Sequence, residues 1–173
     1  MKLPARILPM ILLLASLACL SGLSPAPTQT SLPLPTVAAG TRQYTLVRVT
    51  RADGALADVL RAQVGKAKSA FRRPFVELDA TWCPPCQAIR QSLDSGDPRM
   101  VDAFAGTYIV QMDVDEWGNS LGGTGFDASA IPAYYELDQF GRPTGRMITG
   151  AAWGDNIPEN MAPPLKAFFR ASK

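Results

Sequence analysis

Cys83 and Cys86 stand in the run Ala80-Thr81-Trp82-Cys83-Pro84-Pro85-Cys86-Gln87, between an apolar segment and an amphipathic one. Two thiols at this spacing suit disulfide exchange, half of a metal site, or a structural bridge. A zinc site takes four ligands, usually sulfur or imidazole, and the sequence holds no histidine and only three cysteines. A bridge spanning two residues closes a very small loop, and chain-entropy stabilisation grows with loop length, so a staple would add little to folding. Exchange chemistry fits best. A cysteine at the start of a helix lies beside unpaired backbone N–H groups and the positive end of the helix dipole, which favour the reactive thiolate. Cys83 is then the attacking thiol, and Cys86, one turn on and expected to be more deeply buried, the resolving one. Pro84 and Pro85 have no N–H to offer the sulfur, which leaves Cys86 N–H as the nearest donor. That predicts a less stabilised thiolate and a dithiol better suited to donating electrons.

The elements that must hold this pair can be read from hydrophobic periodicity. Residues 43–50 (QYTLVRVT) are strand-like, and Leu56, Val59, Leu60, Val64, Ala67 and Phe71 recur at helical spacing. Residues 74–80 (PFVELDA) form a mostly apolar strand of the kind covered on both faces in a parallel sheet. The cysteine run opens a helix with Ala88, Ile89 and Leu93 on its core side; residues 95–98 break it and another short helix follows. Residues 107–115 alternate, with Tyr108, Val110, Met112 and Val114 on one face. Residues 118–126 are a glycine-rich loop without the Gly-Lys-Ser/Thr ending of a phosphate-binding loop. Residues 133–138 and 145–153 read as two strands of a hairpin. Residues 161–172 read as a closing helix with Pro163 and Pro164 in its first turn and Met161, Leu165, Phe168 and Phe169 in the core stripe. The order β-α-β-α-β-loop-β-β-α predicts an α/β fold with a central mixed sheet flanked by helices. Trp117, Trp153 and Met161 suit either the core or the rim of a docking surface.

The first residues carry a different message. Lys2 and Arg6 precede the apolar stretch Ile7–Ala18, too short for the roughly 20 residues of a membrane span but of the length of an export signal. Ser16-Leu17-Ala18 suits a small-x-small cleavage site and is similar to the lipobox of bacterial lipoproteins, with Ser16 where leucine is usual. Cys19 is therefore the candidate lipidation site, leaving Cys83 and Cys86 to each other. Residues 20–40, rich in Ser, Pro, Thr and Ala, read as a semi-rigid tether. The domains expected are a signal at 1–18, a tether at 19–40 and a folded domain at 41–173. The sequence has 17 basic and 15 acidic residues. With Lys2 and Arg6 set aside the charges balance, so there is no electrostatic footprint for nucleic acid.

With these residues in place the chain resembles the thioredoxin superfamily over roughly residues 43–169. Residues 81–87 (TWCPPCQ) resemble its Trp-Cys-Gly-Pro-Cys-Lys active site, residues 130–145 (AIPAYYELDQFGRPTG) its Ile-Pro-Thr strand, Thr149-Gly150-Ala151 its Val-Gly-Ala rim segment, and residues 112–116 (MDVDE) the Asn-Ile-Asp segment of its third strand. The resemblance implies that Pro132 is a cis-proline facing the disulfide and that Ile131 exposes backbone to a substrate chain, with Trp82, Pro84 and Pro85 as further substrate contacts. It also implies that Glu77, six residues before Cys83, is a buried acid able to take the Cys86 proton through water, while Asp79, nearer the mouth, is expected to be exposed. Gln111 stands where the family has a lysine near that acid.

The Cys-Pro-Pro-Cys pair, the export signal and residues 92–104 (SLDSGDPRMVDAF) look more like membrane-tethered thioredoxins of the DsbD C-terminal or TlpA/ResA kind. The short spacing from Cys86 to Pro132 leaves little room for the elements that TlpA/ResA proteins insert. The expectation is an exported, periplasmic or cell-surface thiol-disulfide oxidoreductase, membrane-anchored and monomeric, acting as a reductase on protein disulfides. It needs an upstream electron-donating thiol protein, no cofactor, no metal and no nucleic acid. The alternatives are a disulfide oxidase or isomerase, or a non-catalytic binding or chaperone module on the same fold.

Overall fold

The computed structural model describes residues 43–171. The expected export signal, Cys19 and the tether lie outside them. Five strands, β1 (Thr45–Arg48), β2 (Arg73–Asp79), β3 (Thr107–Asp113), β4 (Ala133–Leu137) and β5 (Pro143–Thr149), form one sheet in the order β1-β3-β2-β4-β5. β1, β3 and β2 are parallel, and β4 and β5 run antiparallel to their neighbours. The helices are α1 (Leu56–Ser69), α2 (Pro84–Asp94), α3 (Pro98–Phe104), the single turn α4 (Val114–Trp117) and α5 (Pro158–Arg170).

The sheet divides the core in two. Val59, Leu60, Val64 and Ala67 of α1 cover one face, meeting Val76, Leu78, Val110, Met112 and Trp117. On the other face, α2, α3 and α5 bring Ile89, Leu93, Met100, Phe104, Met161, Leu165 and Phe169 against Phe75, Ile109 and Tyr134. β2 is central and has an apolar partner on both sides, which explains its nearly unbroken burial. Trp117, Trp153 and Met161 are all buried, so they belong to the core.

Several expectations need correction. Phe71, read as part of the helical stripe, lies past the end of α1 and faces solvent. Val114 starts α4 instead of extending β3, because the Asp113 carboxylate accepts the Asp115 N–H and caps a turn there. The strand expected through residue 153 stops at Thr149, where Gly150–Ala152 form a 3-10 turn. The last helix begins at Pro158, so Pro163 and Pro164 lie inside it and cannot donate to the carbonyls one turn back. Phe168 is only partly buried at the edge of that helix.

α1 closes in an unusual way. Phe71 N–H donates to Lys68 O at 3.0 Å and Arg72 N–H to Ala67 O at 2.9 Å, the two bonds of a Schellman ending. The residue in the left-handed position is Phe71, with φ 54°, where glycine or asparagine is usual. A β-carbon there costs about 1–2 kcal/mol.

Candidate active site

β2 runs directly into the cysteine pair. Cys83 is the N-cap of α2, and its sulfur accepts the Cys86 N–H at 3.3 Å. Pro84 and Pro85 fill the first helical positions, where a missing N–H breaks no intrahelical bond. Cys83 and Cys86 form a disulfide with Cα atoms 5.3 Å apart. Both residues are buried, at 2% and 1% exposure, so the expected contrast between an exposed and a buried thiol is absent in this oxidised pair. Ala80, Val114 and Ile131 pack around them.

The Ile131–Pro132 peptide bond is cis. Ile131 is half-buried against the disulfide and Pro132 is buried. Gly150 closes over this proline: its N–H donates to Pro132 O at 3.0 Å, and a β-carbon on it would meet Pro132 Cδ at 3.3 Å. Trp82 is 61% exposed, with its indole N–H held by Asp115 Oδ2 at 2.7 Å. Pro84 is exposed and Pro85 half-buried.

Behind the cysteines a polar row crosses four strands. Strand register places Arg48, Gln111, Glu77 and Tyr134 side by side, so their side chains share one face of the sheet. Glu77 is buried; its Oε1 accepts from the Tyr134 hydroxyl at 2.7 Å and its Oε2 from Gln111 Nε2 at 2.8 Å. Burial pushes the Glu77 carboxyl above the usual glutamate range, and the negative charge of Asp79 pushes it further; the two hydrogen bonds and Arg48 oppose this. Burial beside Glu77 likewise holds the Tyr134 hydroxyl well above the ordinary tyrosine range.

Asp79, expected at the surface, is fully buried. Arg48 grips it with two hydrogen bonds of 2.6 Å, and Arg90 of α2 adds a third at 3.0 Å. The two guanidiniums close over a carboxylate that would otherwise face the opening at the strand end. Gln111 brings no charge to Glu77, but Arg48 supplies a positive field from the neighbouring row position. Arg48, Arg90, Gln111, Thr81 and Asp115 also line an open groove of about 780 Å³, so Glu77, Asp79 and Trp82 each have a hydrogen-bond partner that reaches the same surface, while Tyr134 stays buried.

The structure thus brings Cys83, Cys86 and Ile131 into contact, sets cis Pro132 beside them, and puts Glu77 in the core of the sheet beneath. Cys19 lies outside the described residues. Asp79, Arg48, Arg90, Tyr134 and Asp115 were missing from the sequence-derived site. The available signal was polar residues at inward-facing strand positions; Glu77 and Asp79 alternate in phase with Phe75.

A mixed five-stranded sheet flanked by helices, with a cysteine bridge at a helix N-terminus, is the thioredoxin fold. No protein-family model matches the chain, and no curated protein matches it. Among solved structures it is similar to a Trichomonas vaginalis thioredoxin, at 24% identity over 64% of this chain and 83% of that one, with a TM-score of 0.35. Oxidised thioredoxin O1 of Arabidopsis thaliana is 20% identical over 61% of this chain and 86% of its own, with a TM-score of 0.38. A reduced Schistosoma mansoni thioredoxin pre-protein is 21% identical over 62% and 87%, with a TM-score of 0.40.

Proposed function

We propose that this protein is an exported thiol-disulfide oxidoreductase that reduces disulfides in other proteins. The observation that carries the reading is the Cys83–Cys86 bridge at the start of α2, with the Cys83 sulfur accepting the Cys86 N–H and the cis Ile131–Pro132 bond beside it. In the dithiol form, the Cys83 thiolate attacks one sulfur of a substrate disulfide, a mixed disulfide forms, and the first substrate thiolate leaves. Cys86 then loses its proton and attacks the Cys83 sulfur, releasing the second substrate thiolate and leaving the bridge seen in this structure. Two electrons pass to the substrate, and an upstream thiol protein must return them. Glu77 takes the Cys86 proton, a role suited to a buried carboxyl whose affinity for protons is raised.

The capping geometry supports the reductase direction of exchange. The N–H that would belong to the second helical residue is absent at Pro85, so the Cys83 thiolate has one backbone donor in its cap, Cys86 N–H. Fewer donors mean a less stabilised thiolate, and hence a dithiol more willing to give up electrons. Trp82 and Pro84, both exposed beside the bridge, contact the substrate chain, and Ile131 offers it backbone. Export follows from the signal-like residues 1–18, with Cys19 as the lipid-bearing anchor and residues 20–40 as the tether.

The test is a trap. A Cys86→Ala variant, expressed in the exporting host, should accumulate disulfide-linked adducts through Cys83 that a Cys83→Ala/Cys86→Ala variant lacks, and mass spectrometry of the adducts names the partners. Absence of Cys83-dependent adducts, with function intact in Cys83→Ala, would instead identify a binding module whose bridge is never cycled.

A further inference from the structure

The turn from α1 into β2 has a surface that the redox reading does not use. It precedes the first residue of β2, whereas the cysteines follow the last, so the seven-residue strand separates the two by roughly 20 Å. Phe71 is 97% exposed in this turn. It occupies the left-handed position of the Schellman ending, which disfavours a β-carbon, and its ring gains no burial in return. Neither local geometry nor the core accounts for an aromatic residue there.

Its neighbours are cationic. Residues 64–74 (VGKAKSAFRRP) hold four basic residues and no carboxylate. Lys66 and Lys68 are exposed, and among the described residues neither takes part in an ion pair. Arg72 is half-buried with its guanidinium bonded to the Thr45 hydroxyl, and Arg73 pairs with Glu136. Asp138 shares a small groove beside the turn with Lys68, Arg72 and Arg73, and it is paired with Arg142 at 2.8 Å. Cations at the end of α1 suit its dipole, but the dipole gives no reason for the phenylalanine.

Gln43, the first described residue, also lies at this pole. Gly106 donates its N–H to Gln43 O at 2.8 Å and accepts from Arg73 N–H at 3.0 Å, which ties Gln43 to the first residue of β2. A single forward-standing aromatic ring in a collar of cations matches the interfacial zone of an anionic bilayer, which takes rings at headgroup depth and attracts lysine and arginine. A protein partner would call for a broader apolar patch around the ring. We propose that this turn docks the domain on an anionic lipid surface, with Phe71 as the inserted ring and Lys66, Lys68 and Arg72 as its cationic collar, holding the Cys83–Cys86 pole away from the lipid. The inference depends neither on cysteine chemistry nor on lipidation at Cys19.

The experiment uses the full chain carrying Phe71→Trp and vesicles with acyl-brominated lipids, either phosphatidylcholine alone or phosphatidylcholine mixed with phosphatidylglycerol. Quenching reports the depth of position 71, whatever the N-terminal segment adds to vesicle binding; Trp82 lies at the other pole and Trp117 and Trp153 are buried. The fluorescence added by the substitution should be quenched on the mixed vesicles and not on phosphatidylcholine. Adding Lys66→Gln, Lys68→Gln and Arg72→Gln should weaken docking about a hundredfold, at roughly fivefold per charge, and abolish the quenching. Near-ultraviolet circular dichroism should show both variants folded. Absence of quenching on every vesicle, as expected if an acidic protein is the true partner, would overturn the proposal. So would equal quenching on neutral vesicles, or quenching that survives loss of the three charges in a folded variant.

Discussion

Replacing Asp79 with alanine should destabilise the oxidised domain by about 3 kcal/mol. The carboxylate is fully buried and accepts three charge-assisted hydrogen bonds, two from Arg48 at 2.6 Å and one from Arg90 at 3.0 Å. At about 1.5–3 kcal/mol each, these would sum to roughly 4.5–9 kcal/mol if every partner were buried. Arg48 and Arg90 are 35% and 37% exposed, so in the variant each guanidinium turns to water, and less than half of that sum should survive. Against a domain stability of about 5–15 kcal/mol the effect is large. Urea unfolding of Asp79→Ala, Arg48→Gln, Arg90→Gln and the double variants would measure it. The Asp79–Arg48 coupling should exceed the Asp79–Arg90 coupling, because two short bonds are lost instead of one longer one. A cost under about 1 kcal/mol for Asp79→Ala, or couplings within about 0.3 kcal/mol of zero, would refute the reasoning.

Glu77→Gln should change how stability depends on pH. Because burial and Asp79 raise the Glu77 pKa on folding, its contribution is full below the ordinary value of 4.5 and lost as pH rises through the folded value. The variant lacks that loss, so its stability relative to the parent should climb as pH increases, and parallel urea-unfolding curves from about pH 5 to 8 would count against the assignment. Pro85→Ala restores an N–H at the second helical position; one added bond to the Cys83 thiolate, about 1 kcal/mol, should make the potential about 20 mV more oxidising in a glutathione equilibration, and an unchanged or more reducing value would remove the proposed role of the prolines. Phe71→Gly relieves the left-handed position and should raise stability by about 1 kcal/mol in denaturant titration, whereas a loss would mean that the ring makes a stabilising contact.

Much of the fold was legible because its signals are local. Tyr108, Val110 and Met112 alternate in the sequence and line one face of β3, and Leu56–Ser69 carries a helical stripe that α1 buries. The errors arose where distant residues decide the outcome. Asp79 looked exposed because it stands near a strand end; the arginines that bury it come from β1 and from α2, 31 and 11 residues away, and only strand register reveals them. Pro163 and Pro164 looked like a helix start, a local rule that packing overrides: Met161 and Leu165 are held in the core, and the helix begins a turn earlier at Pro158. The pairing of the two cysteines needed no tertiary information, since two cysteines three positions apart at a helix start meet by local geometry.

The two buried acids of β2 show why the surroundings matter as much as the cysteines. Glu77 and Asp79 lie two residues apart on the same strand and face, so their side chains compete for the same sources of positive charge. Both guanidiniums hydrogen-bond to Asp79, while Glu77 receives only neutral donors, from Tyr134 and Gln111. Burial and the charge of Asp79 then act together on Glu77, raising its affinity for a proton. Environments that distinguish two neighbouring carboxyls are how acid-base roles are divided in an active site. Arg48 and Arg90 thereby bear on the proposed resolving step without touching either sulfur: they hold Asp79 in the core, where its field raises the proton affinity of Glu77, while the charge of Arg48 itself acts in the opposite direction.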